Sequence, residues 1–189
     1  MSKTKKEFLT VQDMVLIAVF AALIAVCSWI TIPAVAGQVP FTLQTFAVLV
    51  TAGMLGTKRG TLAIIVYMLI GFVGVPVFAG FTGGLSVLTS PSGGYLIGFI
   101  FTALIVGIST EIVKEKKEIT KIVIMVVAMI LGDAACFVVG TIWFMFVTEM
   151  NLTASLTLCV VPFIIPDLVK IVVATIIVNR LKKYVWIFN

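Results

Sequence analysis

Six apolar runs, parted by short basic clusters, leave this chain few ways to fold. They lie at about 14–36, 41–56, 61–77, 93–113 and 122–147, with a last one ending near 178. A run of about 20 apolar residues crosses a bilayer as a helix, and in lipid a helix satisfies its backbone groups internally. Hydrophobic residues make up 61% of the 189 and charged ones 11%, against about half and about a quarter in soluble domains. The expected fold is an all-α integral membrane bundle of six transmembrane helices, one domain over residues 1–189.

The basic residues give this bundle a direction. Twelve of the thirteen lysines and arginines fall in four places. These are the N-terminal arm (Lys3, Lys5, Lys6), the second-to-third turn (Lys58, Arg59), the fourth-to-fifth loop (Lys114, Lys116, Lys117, Lys121) and the tail (Arg180, Lys182, Lys183). Loops rich in Lys and Arg stay on the cytoplasmic side, so both termini are expected there and the third-to-fourth loop outside. The net charge of +5 is thus spent on membrane orientation, and no nucleic-acid partner is expected. Ala34-Val35-Ala36 has the form of a signal-peptidase site, but the apolar run before it exceeds the usual signal length of about 7–15 residues. It is read as an uncleaved first span.

Lys170 is the thirteenth cation and stands inside an apolar run, three residues after Asp167 in PFIIPDLVKIVVATIIV. A cation within a span costs about 2.5–3.5 kcal/mol on insertion scales and needs a reason. At i, i+3 the acid and the cation share a helix face, where they either grip a polar ligand or lock helices together. Two helix starts are open, one at Pro166 and one near Thr157 with both prolines inside. Asp133, in MILGDAACFVVG, is a second acid with no basic neighbour in its run.

The third-to-fourth connection, GVPVFAGFTGGLSVLTSPSGGY (74–95), holds six glycines and no charge. Phe78, Phe81 and Leu88 are too apolar for a solvated linker, and glycine-rich backbone permits close approach to a ligand. It reads as a structured extracellular cap, or else as a turn that only packs the helices. The uncharged 37–44 connection adds Gln38, Thr42 and Gln44 near the same surface. In the first run Ala18, Ala21, Ala22 and Ala25 form overlapping small-xxx-small patterns, which let another helix approach closely. A dimer seam, bundle packing and docking to a partner protein are all consistent with them. Cys27, Cys136 and Cys159 are scattered singly and histidine is absent, so no disulfide, metal site or cofactor is expected.

The strings VPFTLQTFAVLVTAG, GVPVFAGFTGG, SPSGGYLIGF and FIIPDLVK occur in order. With them the chain, from about Ala18 to Arg180, resembles the BioY family, the biotin-binding S components of energy-coupling factor (ECF) vitamin transporters. That resemblance implies a bundle that captures biotin from outside and is toppled in the membrane by a transmembrane coupling (T) component with a pair of ABC ATPases. It matches Asp167 and Lys170 to the family's acid and base. It also matches Thr82, Gly83, Gly84 and Tyr95 to the capping-loop motif, and the alanine stripe to the feature that docks on the T component. Phe78 and Phe81 would cover the ligand's rings with Tyr95, and Gln44 would offer an amide. Some relatives carry an amide where Thr82 stands and a basic residue where Leu96 stands, which leaves open the group that meets the biotin carboxylate.

Two rival classes of function stand beside this one. Without histidine, Ser-His and H-E-x-x-H chemistries are excluded, and Asp133 with Asp167 is all that an aspartyl protease would have, so no catalytic residue is expected. A self-energised secondary transporter or channel is the stronger alternative, because intramembrane ionisable residues can carry protons or ions. No Walker motif is present, so the chain does not hydrolyse ATP itself.

Overall fold

The computed structural model describes residues 9–32, 39–113 and 116–185. Lys3, Lys5, Lys6, the Ala34-Val35-Ala36 triplet, Gln38 and Lys114 lie outside the described residues, as does the side chain of Lys183.

Helix α1, Val11–Trp29, begins with a capping box. Asp13 N–H donates to Thr10 Oγ1 at 3.2 Å, and Thr10 N–H donates to Asp13 Oδ2 at 2.9 Å. The same carboxylate meets Arg59 Nε at 2.5 Å, tying the start of α1 to the basic turn of the next helix. A two-residue ribbon follows, Thr31–Ile32 (β1) antiparallel to Phe41–Thr42 (β2), with Thr31 opposite Thr42 and Ile32 opposite Phe41. The apolar periodicity gave no sign of it.

Helix α2, Gln44–Phe72, is two helical arms joined at Gly56, where the chain reverses direction. There φ is +75° and ψ −172°, a region essentially reserved for glycine. A side chain at Gly60 would fall 3.1 Å from Ala52 Cα, and Gln44 reaches Tyr67 across 23 positions. In a straight helix those 23 residues would span about 35 Å at ~1.5 Å per residue, so the two arms fold back on each other. Helix α3, Gly93–Ile112, packs against the turn, where a side chain at Gly107 would lie 2.5 Å from Thr57 Cα.

Helix α4, Glu118–Thr148, leads through the Asn151 cap into α5, Leu152–Cys159. The chain breaks at Val160 (φ −121°, ψ −56°) and resumes as α6, Val161–Val185, with Pro166 inside it. Neither helix start read from the sequence is the one observed. Pro162 sits in the first turn, where a missing N–H is tolerated, and Asp167 and Lys170 are the seventh and tenth residues of α6.

Among the described residues, five helical stretches are long and apolar enough to cross a membrane, α2 counting as one and α5–α6 (Leu152–Lys182) as one. Their inner faces meet in a core that includes Ile24, Leu49, Ile64, Tyr67, Met129 and Phe144. Their outer faces are apolar too, with Val15 and Val19 of α1, Val138 of α4 and Val169 of α6 more than half exposed. Lipid tails accept such surface, being as apolar as leucine.

Candidate functional site

Residues 77–92 fold over one end of the bundle. Two 3₁₀ turns, Ala79–Phe81 and Leu85–Val87, shape this cap, with Gly80 and Gly84 at positive φ. It is stitched down at three points. Val77 O accepts from Ser28 Oγ at 2.6 Å and from Tyr67 Oη at 3.0 Å. Gly84 N–H donates to Gly71 O at 2.7 Å, and Trp143 Nε1–H donates to Ser90 O at 3.3 Å. Glycine is required at Gly83, where a side chain would lie 2.5 Å from Val75 O. Phe78 is driven into the bundle at 1% exposure, its ring occupying the space a side chain at Gly71 would need.

Beneath the cap lies a cavity of about 520 Å³. Lys170 Nζ and Asp167 Oδ1 are 2.6 Å apart on its α6 wall, their side chains 11% and 4% exposed. No hydrogen bond reaches that carboxylate oxygen from another helix among the described residues, and the ion pair is contained within α6. Aromatic rings close much of the rest. Phe41 of β2 stacks on Phe163 of α6 with centroids 4.1 Å apart, and Phe137 leans on both Phe163 and Tyr95. Tyr95 fits against Gly140, where a side chain would come within 2.4 Å of its ring, and its Oη donates to Cys159 O at 3.4 Å.

Of the residues read from the sequence, Asp167, Lys170, Thr82, Gly83, Tyr95, Phe78 and Gln44 all line this cavity. Gln44 is also structural, its Nε2 donating to Tyr67 Oη at 2.8 Å. Phe81 is a correction. It is 63% exposed and stacks on Trp29 at 5.3 Å, outside the cavity, because the turn at Gly80 sends successive aromatics to opposite sides. Gly84 likewise stands off the wall; its part is a turn at φ +92° and the bond to Gly71. The alanine stripe divides, with Ala21 and Ala25 packed inside the bundle while Ala18 and Ala22 face outward. Leu96 lines the cavity as an apolar wall.

The sequence did not tell that Asp133 opens into this cavity, nor that Ser86, Ser90 and Ser92 bring hydroxyls to its rim. An acid in an apolar run was the available signal for Asp133; the serines gave none, since hydroxyls are ordinary in loops.

Similarity to known proteins agrees with this geometry. The BioY family profile matches residues 1–186. The biotin transporter BioY of Thermotoga maritima is 41% identical over 172 residues, covering 91% of this chain and 96% of that protein. The biotin transporter BioY2 of Lactococcus lactis subsp. cremoris is 38% identical over 176 residues, 93% of this chain and 90% of that one. The crystal structure of the S-component for biotin from an ECF-type ABC transporter has a TM-score of 0.81 and 29% identity, covering 97% of this chain and 95% of its own.

Proposed function

The chain belongs to the BioY family, and from that premise we propose that it captures biotin in the capped cavity for ATP-driven uptake, as the substrate-binding subunit of an ECF transporter. It is a multi-pass membrane protein and a transporter rather than an enzyme. The T component and the pair of ABC ATPases are separate chains. Six crossings with both termini cytoplasmic and the cap outside follow from the basic clusters; the reversal at Gly56 supports counting α2 as two of them.

One observation carries most weight: a buried acid–base pair opens into a roofed cavity instead of bonding a neighbouring helix. At about 520 Å³ the space falls within the range of small-molecule pockets, about 300–1,000 Å³, which combine apolar walls with a few polar anchors. Biotin offers a cyclic urea with two N–H donors and a carbonyl, an apolar thioether ring, and an anionic tail. Asp167 accepts a urea N–H while Lys170 donates to the urea carbonyl. Phe78, Phe163 and Tyr95 flank the apolar rings, and Thr82 and Gly83 with the cap's serines receive the tail. Charge-assisted bonds in such a dry site are roughly twice as strong as neutral ones.

Two measurements test this. Purified protein should bind labelled biotin tightly at one site per chain. In vesicles, accumulation should require ATP together with the energising subunits. Gradient-driven uptake by this chain alone would overturn the assignment in favour of a secondary transporter.

A further inference from the structure

Asp133 has no part in the scheme above, although it is buried on the wall of the same cavity as Asp167. It is the sixteenth of the 31 residues of α4, about 22 Å from the helix start at ~1.5 Å per residue, and so lies deep in the bundle. Its neighbours Leu131, Ala134 and Val138 face outward, while Asp133, Cys136, Phe137 and Gly140 share the inward face. That spacing of three, four and seven is one side of a helix.

What sets Asp133 apart is the lack of a protein partner. The residue is 7% exposed and lines the cavity, and no hydrogen bond or ion pair joins it to another described residue. Polar groups elsewhere on the cavity wall have partners of their own. Cys136 Sγ lies 3.6 Å from Tyr95 O, Tyr95 Oη bonds Cys159 O, and Lys170 is held by Asp167. An acid inside a membrane protein that bonds nothing is costly, unless what occupies the cavity bonds it.

We infer that Asp133 is a ligand-contacting residue, whose carboxyl accepts the second N–H of the cyclic urea while Asp167 accepts the first. The inference rests on the biotin reading above. Two acceptors and one ammonium then match a group with two N–H donors and one carbonyl, a pattern that a thiolactone, a lactam or a cyclic carbamate does not present. A carboxyl keeps an acceptor oxygen whether or not it is protonated, so the match does not depend on its charge.

The test compares biotin with two isosteres, each having one ring N–H replaced by oxygen, on wild-type protein and on Asp133→Leu, which keeps the size of the side chain and has no acceptor oxygen. Wild-type protein should bind biotin and lose about ten- to hundredfold for either isostere, the range expected when a hydrogen bond is lost and its buried partner is left unpaired. Asp133→Leu should lose about as much for biotin, but nothing further for the one isostere lacking the N–H that Asp133 receives. Additive losses for both isosteres would make Asp133 a packing residue and overturn the inference. So would a variant that binds biotin within about twofold of wild type. If Asp133→Leu does not fold, the wild-type arm decides, because an isostere bound as well as biotin leaves only one N–H recognised. Failure of wild-type protein to bind biotin at all would instead defeat the family-based reading, a separate outcome.

Discussion

Gln44 and Tyr67 are joined by a 2.8 Å hydrogen bond between the two arms of α2, and through it the wall of the cavity is linked to its cap. Gln44 lines the cavity, and the Tyr67 hydroxyl passes the link on by donating to Val77 O in the cap. Both side chains are buried, at 5% and 1% exposure.

Tyr67→Phe should therefore weaken both the bundle and its grip on ligand. It strands the Gln44 amide in the interior, at a cost of about 1–3 kcal/mol for the unsatisfied group. Val77 O keeps only the Ser28 bond, so biotin should dissociate faster. Tyr67→Phe with Gln44→Met should recover much of the lost stability without slowing dissociation. Thermal unfolding in detergent and an off-rate measurement separate the two effects.

The ion pair is expected to be a ligand grip that the fold could do without. Lys170→Ala or Asp167→Asn alone should abolish tight biotin binding and cost about 3–5 kcal/mol, the usual penalty for stranding a buried charge. Replacing both by apolar residues, Asp167→Leu with Lys170→Met, should restore thermal stability to near or above wild type. Binding should stay lost. A double variant that still binds biotin would mean the pair serves the bundle.

Two glycines should fail in different ways. Gly56→Ala forces a side chain into a backbone region that costs about 1–3 kcal/mol and places it 3.1 Å from Thr110 Oγ1, so the whole bundle should lose stability. Gly83→Ala drives a carbon against the Val75 carbonyl, where the cap meets the segment that follows α2. It should leave the melting temperature within a few degrees of wild type and reduce biotin affinity.

On α1, Ala22→Trp should leave biotin binding intact and abolish ATP-driven uptake, since Ala18 and Ala22 present the outward small-residue face. Ala21→Trp, by contrast, should destabilise the free protein, because Ala21 is 3% exposed inside the bundle. Binding assays on the purified chain and uptake assays on the assembled transporter distinguish the two.

Much of this architecture was legible because lipid imposes strong rules. Apolar runs and basic clusters marked the helices, and a lysine three residues after an aspartate marked the cavity wall, since few reasons justify a cation there. Faces were harder to read. In a soluble helix a polar stripe shows which side is outside, but α1 is apolar all round, so Ala18 and Ala21 look alike in sequence although one is exposed and the other buried. Loop direction was illegible for a related reason. Phe78 and Phe81 are equally apolar, and only the left-handed turn at Gly80 decides that one enters the bundle and the other stacks on Trp29. The start of α6 was misplaced because prolines limit where a helix can begin without fixing it; the break came at Val160, a residue with no breaking tendency of its own.

The three stitches that fasten the cap run to α1, to α2 and to α4. None among the described residues runs to α5 or α6, where Phe41 merely rests its ring on Phe163. On that side the cap has no polar fastening to undo, so it is expected to lift there first, beside the very helix that carries the aspartate and lysine.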